Sequence, residues 1–256
     1  MFVLAAVGSA VGLGNIWRYP FTAFDNGGGA FLIPYFIALL TAGIPILMLE
    51  HIVGAKYRGA APVAYARAHK GWEFLGWLPT IVAAMIIYYY IVILAWALNY
   101  VWFAATRAWG DDPSTFFRVT FLNASSSPFD LGGLRIPIVI ALLFIWATTY
   151  YACSSNIKTG LEVVNKLLLP IMFISMVILM LYGISLPGAA AGLNALFTPD
   201  LTRIADPTIW VAAYGQVFFS VSACMGIMIT YGSYLPKKTE LVNTAFTIGF
   251  ADSLMS

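Results

Sequence analysis

The chain alternates long apolar segments with short polar links. We predict seven membrane segments, at roughly 1–24, 30–55, 77–108, 134–152, 159–184, 207–234 and 240–256. A bilayer core of ~30 Å takes about 20 helical residues, so all but the last segment are long enough to span it. The pattern predicts an all-α, polytopic membrane protein. No linker divides it, so we expect one transmembrane domain over residues 1–256, and we interpret it as a fragment because it begins and stops inside apolar segments.

Composition supports a membrane protein and argues against several other classes. The chain is 61% apolar and 9% charged, with a mean hydropathy of +0.86. A net charge of +2 gives no reason to expect a nucleic-acid partner, and Cys153 and Cys224 lie in or beside membrane segments, without the spacing of a disulfide or metal site. We expect no enzyme, because a nucleophile-and-base pair or a metal constellation would be needed and no cysteine accompanies the only histidines, His51 and His69.

Basic residues predict the orientation. The links after the second, fourth and sixth segments contain most of the lysines, whereas the links after the third and fifth are rich in aspartate. Lysine and arginine are enriched in cytoplasmic loops. We therefore expect a cytoplasmic N-terminus, an external loop at 110–133, and a multi-pass protein of the cell membrane, of the bacterial inner-membrane type.

Two predicted helices contain residues that interrupt helices. In the first, the stretch "GSAVGLGNIWRYP" places glycines around Ala10 and Asn15, and in the sixth, Gln216, Ser220, Ser222 and Gly226 lie near the centre. Backbone outside a helix is tolerated at membrane depth only where it is buried or lines a cavity. There are two alternative explanations for these residues. The small residues can allow close helix packing, and the serine hydroxyls can donate to carbonyls of their own helix. Matching interruptions in helices one and six are typical of an inverted-repeat transporter with a central site.

Long stretches of the chain resemble the neurotransmitter:sodium symporter family. "GSAVGLGNIWRYPFTAFDNGGGAFLIPYFIALLTAGIPILMLE" is similar to its first two helices and "WVAAYGQVFFSVSACMGIMITYGSYL" to its sixth, and the stretches "RGAAPVAYARAHKGWEFLGW" and "LNALFTPDLTRIADPTIW" also match. The resemblance implies an inverted-repeat fold covering helices one to part of seven. Helices one and six are then broken at mid-membrane, as in the bacterial leucine transporter.

The resemblance also implies a function. We expect a symporter that couples sodium to the uptake of a neutral amino acid with a large aliphatic or aromatic side chain, by alternating access. A non-transporting amino-acid receptor or a regulatory membrane protein of the same fold is the alternative. The expected substrate-binding residues are Ala10, Gly12, Leu13, Gly14, Ile86, Tyr90, Phe219, Ser220, Val221, Ser222 and Met225.

Two sodium sites are implied by the same resemblance. The first would use the carbonyl of Ala10 with the side chains of Asn15, Ser220 and Asp252, and the substrate carboxylate would complete it. The second would use the carbonyls of Gly8 and Val11. Oxygen ligands of this kind suit a hard cation. Asp252 would instead face a water-filled cavity if the last helix is misaligned by a residue or two.

Gate and anion residues complete the expectations. Arg18, Tyr90 and Phe219 match the family's outer gate, although Arg18 can also extend to the membrane surface and Tyr90 can belong to an interfacial aromatic belt. The chloride ligands of animal members match Tyr35, Gln216, Ser220 and Ser256. Because Asp252 provides a fixed negative charge beside the first sodium, we predict that chloride is not required. Glu50 on the second helix is expected to accept hydrogen bonds from N–H groups of the broken sixth helix.

Overall fold

The computed structural model describes residues 7–8, 10–12, 14–125, 127, 129–130, 133–154, 161–236 and 239–256, with the backbone alone for 161–165. Within these ranges the chain is helical and contains no strand. We label the helices α1 to α10 in chain order. Their bounds are Gly14–Asp25 for α1, Gly28–Tyr57 for α2, Ala61–Ala68 for α3, Glu73–Thr106 for α4, Ile136–Ser154 for α5, Leu161–Ser185 for α6, Ala189–Phe197 for α7, Pro207–Ser220 for α8, Ile227–Ser233 for α9 and Leu241–Met255 for α10.

Four helices of the described residues are long and apolar enough to cross a membrane. They are α2, α4, α5 and residues 166–185 of α6. Large apolar side chains on α4, α5 and α6 are widely exposed, including Tyr88, Leu143 and Leu179. A lipid environment removes the cost that such surfaces have in water. The all-α, polytopic fold predicted from the sequence is confirmed.

The chain forms two compact units, residues 1–83 with 161–256 and residues 84–160. The core of the first unit consists of apolar side chains from α1, α2, α8, α9 and α10. Tyr19 and Tyr35 meet there edge to face with ring centroids 5.0 Å apart. The fully buried members include Phe31, Leu39, Leu47, Val217, Val221, Met228 and Ile248.

Helices α2 and α9 pack with their backbones in contact. A Cβ atom on Gly54 would lie 2.0 Å from the carbonyl oxygen of Ile229, and one on Gly232 would lie 2.7 Å from that of His51. Any larger side chain at Gly54 would force the two helices apart. The two glycines therefore set the distance between α2 and α9.

Helix α2 is irregular where it meets α8. A π-helical turn over Leu39–Gly43 interrupts its α-helical hydrogen bonds. A Cβ atom on Gly43 would lie 2.6 Å from Cγ1 of Val217, and Thr41 Oγ1 is 2.9 Å from the hydroxyl of Tyr214. The extra residue of the π turn thus fits α2 against α8.

Helix α8 begins at a strong start signal. The Asp206 carboxylate accepts a hydrogen bond from the N–H of Thr208 at 2.9 Å, and Pro207 occupies the first helical turn. Aspartate and proline are favoured at these positions because they satisfy or remove free N–H groups. The backbone hydrogen bond from Thr208 holds the pKa of Asp206 below its usual range.

The second unit is formed by the rest of α4, by α5 and by the segment between them. Aromatic rings around Tyr100 pack edge to face, with Phe117 and Phe121 at centroid distances of 5.9 and 5.8 Å. Arg135 Nε donates to the carbonyl of Phe121 at 2.8 Å and attaches the segment to the start of α5. Residues 113–115 and 116–121, which the sequence assigns to an external loop, form short helical turns.

Candidate functional site

The first helix is broken where the glycine pattern predicts. Ala10 is the last residue of the helical turn before the break, residues 11 and 12 are not helical, and the chain resumes as a π turn at Gly14. The N–H of Gly12 donates to Asn15 Oδ1 at 2.9 Å instead of to the carbonyl of Gly8. The carbonyl of Gly8 consequently lacks the hydrogen bond that a continuous helix would provide. Leu13, an expected substrate residue, lies outside the described residues.

The sixth helix is also broken, between α8 and α9. Residues 221–226 form turns and bends, and Ser222, Cys224 and Gly226 have φ angles of 53°, 61° and 70°. Residues other than glycine rarely adopt this left-handed conformation, so the backbone at Ser222 and Cys224 is strained. The substrate residues predicted here lie at the break, with Val221 buried and Ser222 and Met225 partly exposed. Both breaks predicted from the sequence are confirmed.

A buried carboxylate joins the two breaks to α10. Asp252 Oδ1 accepts a hydrogen bond from Asn15 Nδ2 at 2.9 Å, and Asp252 Oδ2 accepts one from Ser220 Oγ at 2.6 Å. Asn15, Ser220 and Asp252 are 1%, 3% and 0% exposed. A carboxylate in such a place is costly when its partners are neutral, as an amide and a hydroxyl are. The cluster has the oxygen donors and the charge that a monovalent cation requires.

Glu50 of α2 lies at the start of α9. Its carboxylate faces the backbone N–H groups of Cys224, Gly226 and Met228, although Oε2 is buried without a hydrogen-bond partner among the described residues. These are among the groups that the break leaves without helical partners. This placement agrees with the prediction that Glu50 lies beside the N–H groups of the broken sixth helix.

The predicted gate residues that belong to the first unit are in contact. The guanidinium carbon of Arg18 lies 4.4 Å from the centroid of the Phe219 ring, in cation–π geometry. A Cβ atom on Gly14 would lie 2.9 Å from the same ring, so the glycine makes room for it. Arg18 Nη1 is buried and has no hydrogen-bond partner within the described residues. Ile86 and Tyr90 belong to the second unit, where both are partly buried.

Of the residues matched to a chloride site, some have hydrogen-bond partners within the described part of the chain and one does not. The Tyr35 hydroxyl is 3.2 Å from Ser253 Oγ, and Ser256 Oγ accepts from Asn15 Nδ2 at 2.7 Å. Gln216 is fully buried, and neither atom of its amide has a hydrogen-bond partner among the described residues. The sequence did not single out Ser253. Its position three residues before Ser256, on the same helix face, is the signal that could have identified it.

The first and sixth helices are both broken beside one polar cluster, and the second half of the sixth, α9, has seven residues. Broken helices that meet at a central site are typical of inverted-repeat secondary transporters. The chain matches the sodium:neurotransmitter symporter family over residues 1–112 and 110–256. It belongs to this family, as its sequence motifs indicated.

Individual relatives agree with the family assignment. The chain is 42% identical over 247 residues to an uncharacterized sodium-dependent transporter, MJ1319, of Methanocaldococcus jannaschii, covering 96% of this chain and 50% of the relative. It is 34% identical over 265 residues to the sodium- and chloride-dependent GABA transporter 2 of Mus musculus, covering 91% and 44%. The chain thus spans about half the length of the curated relatives it matches.

A solved structure has the same fold. The crystal structure of MhsT in complex with L-phenylalanine superposes with a TM-score of 0.85 at 32% sequence identity, over 99% of this chain and 56% of that one. The inverted-repeat fold expected from the sequence is therefore confirmed.

Proposed function

We propose that the protein to which this chain belongs is a sodium-coupled symporter of a neutral amino acid that works by alternating access. The observation that carries the proposal is the cluster of Asn15, Ser220 and Asp252. It joins both helix breaks to a third helix through hydrogen bonds of 2.6 to 3.2 Å. A ligand bound there would contact all three elements at once. Relatives that are named sodium-dependent support sodium as the coupling ion.

The first sodium would be held by the carbonyl of Ala10 and by side-chain oxygens of Asn15, Ser220 and Asp252. Asn15 now directs its Nδ2 toward Asp252 and its Oδ1 toward the N–H of Gly12. Sodium binding would therefore turn this amide so that its oxygen faces the cation. The same turn releases the N–H of Gly12, which is then free to bind the substrate carboxylate. Sodium and substrate would in this way favour each other's binding by an equal free energy.

The remaining parts of the proposal rest on the same two breaks. The carbonyls of Gly8 and Val11 would bind a second sodium. The carbonyl of Gly8 does not accept the N–H of Gly12, which donates to Asn15 instead, so this oxygen is available to a cation. The stacked pair of Arg18 and Phe219 would close over the substrate. The orientation, with a cytoplasmic N-terminus, follows from the distribution of basic residues.

The proposed substrate has a large aliphatic or aromatic side chain. Gly12 leaves space and backbone N–H groups for a carboxylate that the substrate itself carries, whereas monoamine members of the family have an aspartate at this position. Val221 and Met225 are apolar, and methionine adapts to side chains of different shape. The structural relative was crystallised with L-phenylalanine, which supports this class, although other relatives are named as transporters of GABA and taurine.

The test is uptake by the full-length protein in proteoliposomes. We expect an inward sodium gradient to drive accumulation of leucine or tryptophan, with no accumulation when choline replaces sodium. Binding of tyramine or dopamine as tight as that of leucine or tryptophan would contradict the substrate class. Sodium-dependent binding without any accumulation would favour the receptor alternative.

We also propose that transport does not require chloride. The hydroxyls of Ser220 and Ser256 donate to Asp252 atoms at 2.6 and 3.2 Å, so they are already engaged by the carboxylate or its own backbone carbonyl. A second anion beside a buried carboxylate would be repelled. The unpartnered amide of Gln216 would favour a bound anion, and uptake by Asp252→Asn with and without chloride separates the two cases.

A further inference from the structure

Helix α9, which follows the break in the sixth helix, has only seven residues. Isolated helices of this length are unstable because too few hydrogen bonds offset the cost of nucleation. Its position therefore depends on contacts at its ends and along its side. The turn that precedes it contains the substrate residues Ser222 and Met225. Whatever holds α9 also holds this part of the proposed binding site.

Helix α2 contacts both ends of α9. At the first end, the Glu50 carboxylate faces the N–H groups of Gly226 and Met228. At the second end, Arg58 Nη1 donates to the carbonyls of Ser233 at 2.8 Å and Leu235 at 2.5 Å. An anion at the N-terminus and a cation at the C-terminus are the charges that a helix dipole favours.

The spacing of these two side chains matches the length of α9. Eight residues separate Glu50 from Arg58, which corresponds to about 12 Å along α2, and seven residues of α9 span about 10 Å. Gly54, halfway between them, allows the carbonyl of Ile229 to approach α2 closely. The two helices are thus joined at three successive levels, at both ends and in the middle.

Arg58 is itself held in place by a second arginine. It ends α2 in a left-handed conformation, with φ of 51°. Arg67 of α3 donates through Nη1 to the carbonyl of Tyr57 at 2.7 Å and to that of Arg58. Two guanidinium groups therefore connect α3 to the end of α2 and the end of α2 to α9.

We propose that Arg58 is a positioning residue for the substrate site, which it orients by fixing α9 against α2. The proposal rests on the proposed function, because the site it orients is that of the amino acid. Arg67 supports the same arrangement indirectly, by donating to the carbonyls of Tyr57 and Arg58 at the end of α2. Loss of the Arg58 contacts would free the distal end of α9 and allow the turn at residues 221–226 to change shape.

The experiment uses the purified full-length protein with Cys224 as the sole reactive cysteine. Cys224 lies in the turn and is exposed, so its alkylation by a small maleimide reports the shape of that turn. In Arg58→Gln, we expect leucine or tryptophan to bind about tenfold more weakly at saturating sodium, because a charged group that donates to two carbonyls at the end of α9 is replaced by a neutral amide. Cys224 alkylation should be faster, and sodium with substrate should protect it less.

Matched variants separate positioning from general stability. Lys56→Gln removes an exposed charge from the same last turn of α2, where Lys56 lies over the ring of Tyr57, and should leave binding and alkylation unchanged. Arg58→Lys keeps the charge but cannot easily reach two carbonyls, so it should show an intermediate loss. Arg67→Gln should act in the same direction as Arg58→Gln and more weakly.

An Arg58→Gln protein that melts at a lower temperature but binds and alkylates like wild type would overturn the proposal. If Arg58→Gln does not fold, wild-type behaviour of both Arg58→Lys and Arg67→Gln would overturn it. A different result would contradict the proposed function itself, namely a wild-type protein that binds no amino acid in the presence of sodium.

Discussion

Replacing Asp252 by asparagine tests the central electrostatic feature of the site. The change keeps the shape of the side chain and removes its charge. In the structure, Oδ1 and Oδ2 of Asp252 each accept one hydrogen bond, from Asn15 and from Ser220. An asparagine offers one acceptor and one donor in their place, so one of the two contacts loses its acceptor unless Ser220 reverses its hydroxyl. An unsatisfied buried group costs about 1–3 kcal/mol, so we expect a moderate loss of stability.

The larger expected effect is on sodium. A cation bound at Asn15 would lie within about 4 Å of the carboxylate, where two unit charges interact by about 4 kcal/mol at an effective dielectric constant of about 20. We take about half of this as the net loss, because the asparagine oxygen remains available as a ligand. A loss of about 2 kcal/mol corresponds to roughly 30-fold weaker sodium binding. A chloride ion near Gln216 could then replace part of the missing charge.

The assay is amino-acid uptake in proteoliposomes with chloride replaced by gluconate. Wild-type uptake should not change, whereas Asp252→Asn should be slow in gluconate and faster in chloride. Thr247→Ala, an exposed position on the same helix, controls for general damage to α10 and should resemble wild type. Wild-type protein that stops transporting in gluconate would refute the reasoning. An Asp252→Asn protein with unchanged sodium affinity would show that the carboxylate does not face the cation.

Three further predictions concern single residues. Asn15→Ala should weaken sodium binding by about tenfold or more, with a smaller loss of substrate affinity at saturating sodium; equal losses at every sodium concentration would contradict a ligand role. Gly54→Ala should lower the thermal stability of the detergent-solubilised protein by about 1–3 kcal/mol or prevent folding, because its Cβ would lie 2.0 Å from the carbonyl of Ile229. Gly215→Ala, with no atom within 4 Å of the new Cβ, should be neutral or stabilising, and a loss equal to that of Gly54→Ala would disprove the packing argument. Glu50→Gln should reduce folded yield without a defect specific to sodium, since its partners are backbone N–H groups; a selective loss of sodium affinity would instead assign it to an ion site.

The helix breaks illustrate what could be predicted from local sequence. Glycines at positions 8, 12 and 14, and Gln216, Ser220, Ser222 and Gly226 in the sixth segment, interrupt otherwise apolar segments, and the structure breaks the helices there. Glycines and polar side chains at membrane depth favour a helix break, because the freed backbone groups can be satisfied where the segment is buried in protein or lines a cavity. The predicted contact of Glu50 followed from the same reasoning, because a buried carboxylate requires donors.

Other features had no local signal. The helices α3 and α7 and the π turn at Leu39–Gly43 are short, and their sequences fit loops or continuous helix equally well. Arg58 and Arg67 belong to the basic links that predict orientation, and nothing in the sequence showed that their guanidinium groups bind helix-terminal carbonyls. The contact of Ser253 with Tyr35 was also not apparent, since the two residues are 218 positions apart, although the spacing of Ser253 from Ser256 placed both on one helix face.

The sequence alone therefore determined the membrane class and the positions of the breaks, because hydrophobic length and glycine content act within a few residues. The tertiary structure decided which side chains meet. Asn15, Ser220 and Asp252 are up to 237 residues apart, and they come together only because α1, α8 and α10 pack in one core. The direction of the Asn15 amide depends on a balance between the N–H of Gly12 and the carboxylate of Asp252. Distances of this kind follow from packing, which the order of residues does not specify locally.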